Sequence, residues 1–127
     1  MLKAIGCGWL LFVASICLAH DATYYSLNPK EIQQALDGCP ARHPQDVSCE
    51  QLSEIATQVN ALVSELRMDP QAYGRTILAM QETIATQAAL TGTQQATPAL
   101  QAELIKNQQA LRERLSIIKW LESPVVR

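Results

Sequence analysis

Residues 52–66 read LSEIATQVNALVSEL, and Leu52, Ile55, Val59, Leu62 and Leu66 recur there at steps of three and four, with Val63 beside Leu62. That period lays one apolar stripe along an α-helix, whereas a half-buried strand needs strict alternation. Ser48 precedes the stripe and Gln51 follows it by three, the pattern of a capping box, so the helix is expected to start at Ser48. Arg67-Met68-Asp69-Pro70 ends it with a tight break.

Working outward toward the C-terminus, Asp69-Pro70 starts another helix, with Tyr73, Ile77, Met80, Ile84 and Ala88 on its buried edge. Thr91 to Ala96 form a polar loop. Thr97-Pro98 opens a further helix with Leu100, Leu104, Leu111, Leu115 and Ile118 on one face, stopped by Ser123-Pro124. Asn107 and Gln108 fall near this stripe and are expected at its edge, in water. Toward the N-terminus, residues 40–47 form a loop with two prolines. Before it, Asn28-Pro29-Lys30-Glu31 reads as a capped start to a short helix with Ile32, Ala35 and Leu36 inside, closed by Gly38 and Pro40.

Period-2 alternation is absent, so no sheet is expected. Three helices of roughly 19–24 residues span about 30–36 Å each at 1.5 Å per residue. Such helices gain most of their stability by burying their stripes against one another, and short breaks favour antiparallel neighbours. The expected fold is all-α: a small antiparallel, coiled-coil-like bundle of three long helices plus one short N-terminal helix. It occupies residues 28–122, after a flexible lead-in at 20–27 in which Tyr24 and Tyr25 can dock, and before a tail at 123–127.

Residues 1–19 read differently. Lys3 gives a positive start, Ala4 to Ala19 carry no charge, and small residues Cys17 and Ala19 precede His20-Asp21. This is the order of a cleaved secretory signal peptide, and its apolar run of 16 residues falls short of the ~20 that cross a bilayer. No stable membrane span is expected after cleavage, and the location is secreted or periplasmic. Cys7 and Cys17 would leave with the leader. Cys39 and Cys49 remain as an even pair in an oxidising compartment and are expected to form a disulfide.

Composition excludes more than it selects. The net charge is −2, and loss of Lys3 leaves 9 basic against 12 acidic residues, so nucleic acid is not an expected partner. Aromatics are 5% of the chain, which argues against an aromatic sugar-binding groove. The 13 glutamines outnumber the acidic residues, giving a surface rich in neutral amides.

Cys39, His43, Asp46 and Cys49 contain zinc-ligand chemistry, but their spacing fits no common zinc knuckle and oxidation removes the thiolates. His20 beside a free α-amine could chelate copper, with nothing else in support. No metal or cofactor is therefore expected. A nucleophile–base–orienter set has nowhere to form with two histidines in loops, and Glu50 with Glu54 reads as a solvated helix face. Enzymatic activity is not expected, and no catalytic residue is assigned.

One feature rises above this background. Ile117, Trp120 and Leu121 point away from the stripe of the last helix, so its final turns are apolar nearly all round. Either Tyr24-Tyr25 or Val125-Val126 covers this second face, or a partner does. Ile117, Trp120 and Leu121 are the candidate partner-binding residues. The expected function is protein–protein interaction, as an adaptor, assembly subunit, chaperone-like factor or host-facing effector, and a homo-oligomer is compatible with the same stripes. The alternative is a small-ligand or lipid carrier binding between helices.

Overall fold

The computed structural model describes residues 20–123, all of whose regular structure is helical. The expected signal peptide at 1–19 and the residues from Pro124 onward lie outside the described residues. The helices are α1 (Ala22–Leu27), α2 (Pro29–Asp37), α3 (Cys49–Met68), α4 (Pro70–Thr91) and α5 (Pro98–Glu122). Among the described residues no helix is long and apolar enough to cross a membrane.

The long helices begin where their caps dictate. Ser48 and Gln51 form the reciprocal box, with Gln51 N–H donating to Ser48 Oγ at 3.1 Å and Ser48 N–H donating to Gln51 Oε1 at 2.9 Å. Asp69 Oδ1 accepts from Ala72 N–H at 2.9 Å, and Thr97 Oγ1 accepts from Leu100 N–H at 3.0 Å. Pro70 and Pro98 follow as first-turn residues that have no N–H to leave unpaired.

The N-terminal part differs from expectation. The segment read as a lead-in holds a helix, α1, capped by Asp21, whose Oδ1 accepts from Tyr24 N–H at 2.9 Å. Tyr25 and Ser26 are buried, so Tyr25 is the docking residue. Asn28 then sits between two helices and closes the first instead of capping the second: its Nδ2 donates to Tyr24 O at 2.8 Å. Glu31 is likewise diverted from a capping box and accepts from the Tyr24 hydroxyl.

The main core lies where α1, α2, α3 and the last turns of α5 meet. Tyr25, Ile32, Leu52, Ile55, Val59 and Ile117 fill it, joined by Val47 from the loop ahead of α3. The Cys39–Cys49 disulfide closes that loop, with Cα atoms 6.0 Å apart, and so holds Val47 in place. The seam between α4 and α5 is a second buried line, through Tyr73, Ile77 and Leu104.

Two side-chain contacts tie α4 to α5. Tyr73 hydroxyl, near the start of α4, donates to Arg114 O at 2.8 Å. Asn107 Nδ2 donates to Gln87 Oε1 at 3.0 Å, so Asn107 meets a protein partner rather than water. Arg114 occupies the seam position that the leucine stripe assigned to Leu115, which is exposed. The guanidinium is accommodated there because Glu65 of α3 accepts from both its terminal nitrogens, at 3.0 and 3.2 Å, and the Tyr73 ring lies 5.0 Å beneath it. Ala88, expected on the buried edge of α4, is also exposed.

Candidate interaction face

The last three turns of α5 carry the residues that sequence reading singled out, and the fold separates them. Ile117 is fully buried in the main core. It shares that cluster with Tyr25, so the α1 segment covers this part of the second face, and Ile117 is not available to a partner. Burial against α1–α3 removes its side chain from water without any second protein.

Trp120 and Leu121 lie one turn further on and remain 36% and 39% exposed. The helix is still regular here: Ser123 N–H bonds back to Lys119 O at 3.1 Å, and Ser123 Oγ caps the same carbonyl at 2.7 Å. Two large apolar side chains are thus presented on a rigid helix end, anchored one turn back by the buried Ile117. Lys119 precedes them in sequence and is exposed.

The remaining candidates are dispersed. Cys39 and Cys49 are joined as a disulfide, so neither offers a thiolate to a metal. His43 is exposed, with Nδ1 2.8 Å from Pro44 O, and Asp46 is exposed nearby. Among the described residues no three His, Cys, Asp or Glu side chains are grouped so as to hold a metal ion. His20 stacks on the Tyr24 ring with centroids 4.0 Å apart. Glu50 and Glu54 are both exposed.

Burial pushes the Tyr73 phenol above its ordinary range, the nearby Arg114 cation opposing that and the Glu65 carboxylate adding to it. The phenol hydroxyl donates to Arg114 O at 2.8 Å. The Tyr24 hydroxyl is raised first by its bond to Glu31. A depression lined by Ser26, Ile55, Gln58, Val59, Leu62 and Glu113 has a volume of about 10 Å³, room for about one water molecule.

Two features escaped sequence reading. The Glu65–Arg114–Tyr73 junction joins residues 41 and 49 positions apart. Its only local trace is Arg114, which follows Leu111 by three and precedes Ile118 by four and therefore falls in the seam. Leu78 and Ile105 are large apolar residues left 65% and 55% exposed. Each directly follows a buried stripe residue, Ile77 and Leu104, and so points off the seam.

Comparison of the chain with protein-family models, with curated proteins and with solved structures found no match.

Proposed function

We propose that this chain is an exported protein that works by binding another protein through the end of α5. The observation that carries the reading is the pair Trp120 and Leu121, held partly exposed on a helix end whose preceding turn is locked into the core. Tryptophan is enriched among residues that dominate binding energy, and a rigid backbone spares the entropy of ordering it. Export is supported by the leader-like order of residues 1–19 and by the Cys39–Cys49 disulfide, a bond favoured in oxidising compartments.

We read the three long helices as an antiparallel bundle. The Tyr73–Arg114 and Gln87–Asn107 hydrogen bonds support opposite directions for α4 and α5, since rising positions in one meet falling positions in the other. The carrier alternative draws no support from a depression that holds about one water, because ligand pockets are normally several hundred Å³.

Trp120 also supplies the test. After loss of the leader with Trp9 it is the sole tryptophan, so its emission reports its surroundings directly. A photo-crosslinking residue at Leu121, used in the native organism, is expected to trap one discrete protein. Trp120→Ala is expected to weaken that complex by about 30-fold or more, the size of a central aromatic anchor. A matched surface change at Gln94 in the α4–α5 loop should leave it intact. Retention of the complex by Trp120→Ala would contradict the reading.

A further inference from the structure

We draw no further inference here: the strongest candidate, the exposed apolar patch of Leu78 and Ile105 on the α4–α5 pair, carries nothing because nothing in the structure shows what covers it.

Discussion

Tyr73→Ala is expected to destabilise the fold by about 3–5 kcal/mol, enough to unfold much of the population of a domain this small. Tyr73 is fully buried, and its loss empties a ring-sized volume at the point where α3, α4 and α5 meet. The effect goes beyond the cavity. Arg114 loses the ring beneath its guanidinium, and its backbone carbonyl loses a donor in a partly buried site. Tyr73→Phe keeps the ring and removes only the hydroxyl, so its expected cost is about 1 kcal/mol. Chemical denaturation of the three proteins checks both figures. Equal, small losses for alanine and phenylalanine would show that the junction is not a structural centre.

Replacing Cys39 and Cys49 together by serine is the second large change, with an expected loss of about 2.5–3 kcal/mol from freeing a ten-residue loop. The loop is more than a tether. It delivers Val47, which is almost fully buried among Tyr25, Ile32 and Leu52, so opening the loop also loosens the core that α1 and α2 complete. A fall in melting temperature of more than about 10 °C is expected, since about 1 kcal/mol shifts a domain of this size by several degrees. Reduction of the natural protein should reproduce it. Val47→Ala in the oxidised protein isolates the packing contribution, with an expected cost of about 1–3 kcal/mol. Were the double serine variant as stable as the parent, the loop would be a passenger.

The parts of this fold that were legible in the sequence are those whose signals are local and mutually consistent. In α3, a cap at Ser48, a box partner at Gln51 and a stripe from Leu52 to Leu66 all say the same thing, and the helix runs Cys49–Met68. Asp69-Pro70 and Thr97-Pro98 act similarly for α4 and α5. The disulfide was legible because Cys39 and Cys49 are the only pair left once residues 1–19 are set aside.

What was missed depends on contacts across the chain. α1 is six residues long, well below what holds a helix alone. It forms because Tyr25 is buried and because Gln109, 83 residues away, donates to Ser26. Without that knowledge, Ala22–Leu27 shows no stripe, and Asn28 reads as the cap of the following helix. Arg114 was illegible for a related reason. A charged residue in an apolar seam violates binary patterning, and only Glu65 and Tyr73 from two other helices make it acceptable.

At the end of α5 the sequence shows the apolar residues but not which of them the fold buries. Their crowding is visible as a helix end apolar on more than one side. Periodicity cannot say which residue is covered by the chain itself, and the fold assigns that role to Ile117 while leaving Trp120 and Leu121 exposed. The exposure of Leu78 and Ile105 was hidden because they adjoin stripe residues and merge with them until the seam is located.

Intact-mass analysis of the natural protein, before and after thiol alkylation, tests the central claim most directly. The account predicts a chain starting at His20 that takes up alkylating agent only after reduction, at two sites. A chain that retains Met1 and whose Cys39 and Cys49 react without reduction would contradict it.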